Sequence, residues 1–224
     1  MHKYLRDLLT LPGDALGAWR REGATGLRTE LAERTIRRVW RRSHMLVIAQ
    51  DLAACAVAPT PPGVAVRPFE GDWSALAGIT TVRQRAGFAH AVARGRHCLV
   101  AWHEGRPLGY TWLSERMERD VEFHELPLAA DAVYLWNLWV LPSARNLGIG
   151  SALVSARLRL ALDLGYREGW RMVAPDNAPS LRTVAKTAGT GTRLVAELHV
   201  RKLGARARVR YVPVTGPAAA RPWS

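Results

Sequence analysis

Residues 133–165 read VYLWNLWVLPSARNLGIGSALVSARLRLALDLG. An apolar run with the marks of a strand ends at Pro142, and Arg145 follows. Glycines stand at 148 and 150, and an apolar stretch at helical spacing runs on to Gly165. Strand, basic residue, two glycines and helix, in that order, make a site for a pyrophosphate. Glycine lets the backbone come close to the phosphates. The first turn of a helix offers N–H groups without partners and the positive end of the helix dipole. Amides aimed inward hold an anion without any large side chain.

The run YLWNLWV (134–140) is apolar on both faces, as a buried central strand is. Working outward, CLVAWHEGRPLGYTWLS (98–114) predicts a hairpin turning at Glu104-Gly105-Arg106. VAVRPF (64–69) predicts a short strand. Residues 72–95 predict one or two helices with Asp72 as N-cap, and 115–131 a longer charged connection. Downstream, a helix over 151–164 ends at Gly165, and a strand lies within 167–175. A short helix spans 178–188 with Pro179 in its first turn, and strands cover 193–203 and 207–214. Upstream, 26–42 read as an amphipathic helix, with Leu27, Leu31, Thr35, Ile36, Val39 and Trp40 at helical spacing. Gly23 and Gly26 separate it from a weaker helical piece. MLVIAQDL (45–52) predicts a strand packed on the downstream domain, and APTPPG (58–63) is a breaker-rich linker.

The expected organisation is a basic helical extension over 1–57, one main domain over 64–214 and an unstructured tail over 215–224. The order β–α–β–β–β–α–β–α–β–β predicts an α/β (α+β) fold. Its sheet is mixed and mainly antiparallel, flanked by helices, with one parallel crossover around the glycine loop.

The chain has 224 residues, 48% of them hydrophobic, enough for a sizeable core. No stretch reaches the ~18–20 consecutive apolar residues of a membrane span. The N-terminus is interrupted by Arg6, Asp7, Pro12 and Asp14, so no secretory signal is expected. Cys55 and Cys98 read as thiols in a reducing cytoplasm, and no Cys/His spacing predicts a metal site. The net charge of +13 is concentrated at the ends. Residues 1–45 carry ten Lys/Arg against five Asp/Glu, and residues 193–224 carry seven against one. Such ends suit an anionic membrane surface, nucleic acid or an acidic ligand.

Val140-x-Pro142-x-x-Arg145-x-x-Gly148-x-Gly150 is followed by Asp176-Asn177-Ala178-Pro179-Ser180 and Lys186. With these two clusters the chain resembles the GNAT superfamily of bacterial acyl-CoA-dependent N-acetyltransferases, over roughly residues 64–212. The resemblance implies acetyl-CoA, or another acyl-CoA, as donor. It implies that the main chain of Leu138, Trp139 and Val140 pairs with the pantetheine amides. The amides of Arg145, Asn146, Leu147, Gly148, Ile149, Gly150 and Ser151 would hold the pyrophosphate. Asn177 would bond the pantetheine arm, Ser180 would complete that signature, and Lys186 would lie near the phosphates.

The chain departs from the family in two places. Many members carry a tyrosine seven residues after the asparagine, as proton donor to the departing thiolate; here that residue is Val184. Many carry a glutamate base on the strand before the glycine loop; here the segment is Leu135-Trp136-Asn137-Leu138. Asn137 can orient a water but cannot take its proton. Glu122, His124 and Glu125 in the preceding connection are the nearest substitutes.

Trp102, Trp112, Trp136 and Trp139 fall on predicted core strands, where packing is their first role. Trp136 or Tyr134 is placed to line an acceptor pocket. His90, His97 and His103 read as surface or hydrogen-bonded residues rather than ligands. Arg206, Arg208 and Arg210 alternate onto one strand face, and with Arg201 and Lys202 they make a basic ribbon. A looser resemblance to bacterial enzymes of cell-surface polysaccharide and amino-sugar modification shades the acceptor toward a small-molecule amine. The expected function is transfer of acetyl to a primary amine of an amino sugar or amino acid. The alternative is a GNAT-like basic binding module for nucleic acid or an anionic membrane surface.

Overall fold

A computed structural model describes residues 11–34, 40–117, 128–204 and 206–215. The elements are α1 (Leu11–Arg34), β1 (Trp40–Asp51), β2 (Val64–Pro68), a short 3-10 turn (Trp73–Leu76) and α2 (Val82–Ala93). They continue with β3 (His97–His103), β4 (Arg106–Ser114), β5 (Ala132–Val140), α3 (Ile149–Asp163) and β6 (Glu168–Val173). The last are α4 (Ala178–Thr187), β7 (Arg193–Leu203) and β8 (Arg206–Pro213). The strands form one sheet in the order β2-β3-β4-β5-β6-β1-β7-β8. Every neighbouring pair is antiparallel except β5–β6, which is joined through α3. This is the mixed, mainly antiparallel α/β sheet that the sequence predicts.

The local signals act as expected. The β3–β4 hairpin turns through Glu104 (φ 48°) and Gly105 (φ 75°), the left-handed pair that matches strand twist. Asp72 caps the 3-10 turn. Thr81 and Gln84 close a reciprocal capping box on α2.

Successive strand residues face opposite sides. Leu113, Val133 and Leu135 turn toward Val154, Leu158 and Ala161 of α3. Leu46, Ile48 and Val173 turn toward Val184 of α4. On the other face Val100, Tyr110 and Trp112 pack with Phe88 and Ala91 of α2. Helix α1 lies on that face too. The Val82 N–H donates to Asp14 Oδ1 at 3.0 Å, and the Trp139 indole N–H donates to Glu22 Oε1 at 3.0 Å.

Two expectations for the N-terminal region change. Helix α1 begins at Leu11 and bends at Gly23 (φ 60°, ψ −145°), where the glycines predict a break. Its described part runs to Arg34, and Trp40–Arg42, expected in the helix, belong to β1. Helical spacing of apolar residues yields there to pairing, because Trp40, Arg41 and Arg42 pair with Leu203, Lys202 and Arg201 of β7, while β6 pairs with β1 further on, from Leu46. Val47, Ile48 and Ala49 are fully buried. Residues before the 58–63 stretch therefore contribute a strand to the interior of the same sheet as those after it.

The parallel pair is short. Ala132, Val133 and Tyr134 pair with Glu168, Gly169 and Trp170, and beyond them β5 has no partner on that side among the described residues. On its other side, Tyr110 faces Trp139 while Trp112 faces Trp136. Two steps on β4 thus match three on β5, a bulge of one residue. Asn137 takes the left-handed conformation there (φ 50°), which asparagine tolerates better than most side chains. Opposite, β4 carries Gly109, where a Cβ would lie 2.5 Å from the Trp139 carbonyl oxygen. Among the described residues no helix is long and apolar enough to cross a membrane.

Deleting residues 1–57 removes β1 from between β6 and β7. The expected product, residues 58–224, is insoluble or lacks a cooperative melt. A fragment with a sharp thermal transition would show that this region folds without β1.

Candidate functional site

Past Tyr134 and Trp170, β5 and β6 separate, and the structure brings four parts of the chain around the gap. The bulged end of β5 supplies Asn137, which is exposed, and Leu138, Trp139 and Val140, which are half-buried. A single 3-10 turn (Pro142–Ala144) leads into the glycine loop. The Arg145 side chain folds back, and its Nε donates to the Val140 carbonyl at 3.2 Å. Asn146 (φ 64°) and Gly148 (φ 82°) are both left-handed, and Gly148 is the N-cap of α3. A Cβ at Gly148 would meet Pro61 at 3.2 Å, and one at Gly150 would meet Val140 at 3.7 Å.

The Arg145 N–H, expected in the cradle, instead donates to the Pro142 carbonyl at 3.2 Å and is spent within the 3-10 turn; the next amide to find a carbonyl is that of Ala152, which donates to Gly148 at 3.0 Å. Among the described residues the N–H groups from Asn146 to Ser151 donate to no protein acceptor. Gly148 has no side chain to cap the helix. This concentrates unsatisfied donors and the positive dipole end of a 15-residue helix at one place. The arrangement is suited to a polyanion such as the diphosphate of CoA. Leu147 (63% exposed) projects its apolar side chain from the loop.

Across the gap, Asn177 follows β6 and caps α4, with its Oδ1 accepting the Ser180 N–H at 3.2 Å. One of its oxygen's two acceptor sites is therefore used within the fold, and its amide N–H groups stay available to a ligand. Ser180 enters the motif through its backbone. Lys186 is exposed near the C-terminal end of α4. Val184 is fully buried against Leu46, Ile48 and Val173, so β1 uses the face of α4 on which the family's tyrosine is expected.

Of the candidate proton acceptors, His124 and Glu125, like Glu122, lie outside the described residues. Tyr134 is in the core (2% exposed) and packs with Val47, Ala49 and Trp170. Trp136 is half-buried and stacks on Trp112 at 5.2 Å. The sequence reading missed Glu22. No motif surrounds it, and only the packing of α1 brings its carboxylate to the indole of Trp139, beside the bulge.

The basic ribbon is sorted by register. Arg42, Arg201 and Arg208 form one cross-strand row, and His44, His199 and Arg210 the next. Lys202 pairs with Ala207 and points to the opposite face. The His44 and His199 rings stack at 4.4 Å and share Glu197, whose Oε2 lies 2.9 and 3.5 Å from their Nε2 atoms.

Comparison with known proteins agrees with this geometry. Residues 64–190 match the model of the acetyltransferase (GNAT) family. The chain is similar to a mycothiol acetyltransferase of Pseudarthrobacter chlorophenolicus, at 28% identity over 195 residues. That alignment covers 75% of this chain and 55% of the relative, so the chain spans about half of that protein. It is also similar to an N-acetyltransferase of Mycobacterium bovis, at 30% identity over 169 residues, covering 74% of this chain and 96% of that one. Among solved structures, the glucosamine N-acetyltransferase region of a fungal multi-domain GH3 β-N-acetylglucosaminidase superposes with a TM-score of 0.53 at 13% identity. The superposition covers 80% of this chain and 23% of that one, a likeness of fold. With a family model spanning more than half of its length, and both of that family's signatures gathered around one splayed strand pair, the chain belongs to the GNAT acetyltransferase family.

Proposed function

We propose that the protein is a cytoplasmic acyl-CoA-dependent N-acyltransferase that moves acetyl from acetyl-CoA to a primary amine of a small molecule. The observation that carries this reading is the row of unpartnered amides from Asn146 to Ser151 beside the open edge of β5. In this reading those amides hold the diphosphate, and the main chain of Leu138–Val140 pairs with the pantetheine arm as an added strand would. Asn177 steadies the arm from the other side. A thioester is already activated, so the protein's work is to hold the amine near the carbonyl and to stabilise developing charge. The acceptor enters from the α2 face, where Trp136 is half-buried and Glu22 supplies a carboxylate. An amino sugar or amino acid is the class assigned here. Glucosamine, the acceptor named for the fungal neighbour, belongs in the first panel of amines.

Acetyl-CoA and CoA are expected to raise the melting temperature by several degrees, and thiol release is expected with at least one amine of the panel. Gly148→Glu puts a carboxylate in the phosphate cradle at a left-handed position that costs a non-glycine residue about 1–2 kcal/mol. It is expected to abolish the CoA-induced shift. A normal shift in that variant would place the donor elsewhere.

The amine must lose a proton, and Glu22, His124 and Glu125 are the side chains assigned to receive it. Glu22→Gln, His124→Ala and Glu125→Gln are to be compared in steady-state kinetics across pH. One of them is expected to lose about 100-fold in kcat at neutral pH and to recover part of it as the amine deprotonates in alkali. Three unchanged profiles would leave the proton to solvent alone.

A second reading, a basic binding surface, is favoured by one observation, the stacked rows Arg42–Arg201–Arg208 and His44–His199–Arg210. It predicts binding to phosphatidylserine vesicles that weakens with salt and is lost in an Arg201→Glu, Arg208→Glu double variant. No sedimentation with vesicles at low salt would remove it.

A further inference from the structure

Two buried arginines lie near the apex of the splay, and among the described residues neither is bonded to an acid. Arg157 comes from α3 and is 2% exposed; Arg171 comes from β6 and is 4% exposed. Arg157 Nη1 donates to Thr111 Oγ1 at 2.7 Å, to the Trp136 carbonyl at 3.2 Å and to the Trp112 carbonyl at 3.4 Å. Arg171 Nη2 donates to Gln50 Oε1, and Gln50 donates on to the Thr187 carbonyl of α4 at 3.4 Å. Every one of these partners is neutral. The Nε atoms of both arginines are buried and donate to nothing among the described residues.

Proteins bury a guanidinium against a carboxylate, because an uncompensated buried charge is strongly destabilising. Here two sit close enough to repel. Burial first, and then the field of Arg171, push the Arg157 pKa well down, and burial pushes that of Arg171 to about 10. Cys55 lies near Arg171 but is no counter-ion, since burial raises its thiol pKa. Among the described residues no anion compensates this pair.

Register shows where that anion would sit. Tyr134–Trp170 is the last β5–β6 pair, and Arg171 is the next residue of β6. Trp136, whose carbonyl Arg157 holds, lies two residues past the same pair on β5. The phosphate cradle is at the other end, after Val140. At ~3.3 Å per residue, Trp136 and Val140 are about 13 Å apart. An acyl-CoA anchored at 146–151 and lying back along the open edge of β5 brings its sulfur to the arginines. Val184, buried on α4, offers no hydroxyl there.

We propose that Arg157 and Arg171 are catalytic residues that form an anion site for the thiolate of departing CoA, supplying by fixed charge what the family's tyrosine supplies by proton donation. This rests on the acyl-CoA reading above. The neutral amine attacks the thioester carbonyl, the C–N bond forms and the C–S bond breaks. The electron pair of that bond stays on sulfur beside the two guanidinium groups. The surplus N–H proton leaves on the acceptor side, to the carboxylate or imidazole assigned to it above. Charge fixed in a dry site before the reaction is worth far more than charge in water.

Arg171 is the residue to change, because Arg157 also holds the carbonyls of the bulge. The acidity of the enzyme-bound CoA thiol, read from thiolate ultraviolet absorbance, is expected to exceed that of free CoA by about tenfold or more, one pKa unit. Arg171→Met should abolish that difference and lower kcat about 100-fold, with little change in the KM for acetyl-CoA. Arg171→Lys should restore part of both. The melting temperature of the ligand-free Arg171→Met protein should not fall, because a desolvated charge has been removed. A bound thiol no more acidic than free CoA, or one unaffected by Arg171→Met, would reduce the pair to a structural role and overturn the proposal. A preference for succinyl-CoA over acetyl-CoA that vanishes in Arg171→Met would overturn it differently, by assigning the anion to the acyl chain. Failure of the unmodified protein to bind CoA in calorimetry would instead overturn the acyl-CoA reading, and this proposal with it.

Discussion

Parallel pairing between β5 and β6 stops after three residues, and the rest of the site depends on that stop. A strand that loses its neighbour in mid-sheet exposes a row of main-chain donors and acceptors. The bulge at Asn137 interrupts the regular pairing of β5 with β4, and Gly109 on β4 leaves room for the carbonyl of Trp139. The loop after Val140 then doubles back into α3, so that the same strand end offers an open edge and a helix N-terminus. Donor recognition of this kind needs almost no particular side chain. That is why the loop can carry Leu147 on its surface and still present its amides.

Strand β1 changes what α4 can do. Its Leu46 and Ile48 pack with Val184, so the inner face of α4 is committed to apolar packing. A polar side chain at 184 would have to be buried without an obvious partner, at a cost of roughly 1–3 kcal/mol. The absent tyrosine and the additional inner strand are in this sense one feature. The buried arginines sit on the same face of the sheet, and Gln50 of β1 links Arg171 to α4.

Much of the fold was legible in the sequence because its strongest signals are local. Gly105 with Glu104 makes the hairpin, Asp72 and Asn177 cap their helices, and the 145–150 loop has its spacing in consecutive residues. What escaped was non-local. Trp40–Arg42 carry helical spacing, yet their conformation was decided by β7, about 160 residues away. Nothing near Glu22 marks it as a neighbour of Trp139. The arginine pair was equally hidden, since Arg157 reads as one more charge on a helix until the packing of α3 shows it facing inward.

The position of β1 also sets the order in which this chain can be built. Met45 pairs with Leu198, a partner synthesised roughly 150 residues later. At ~5–20 residues per second the first strand waits roughly 8–30 seconds on the ribosome for that neighbour. Until β6 emerges, about 125 residues after it, its Leu-Val-Ile-Ala run is an unpaired apolar ribbon, open to pairing with another nascent chain. Contacts so distant along the chain also slow the final closure of the sheet. Yield during expression, rather than the melting temperature of the finished molecule, is where this topology imposes its penalty.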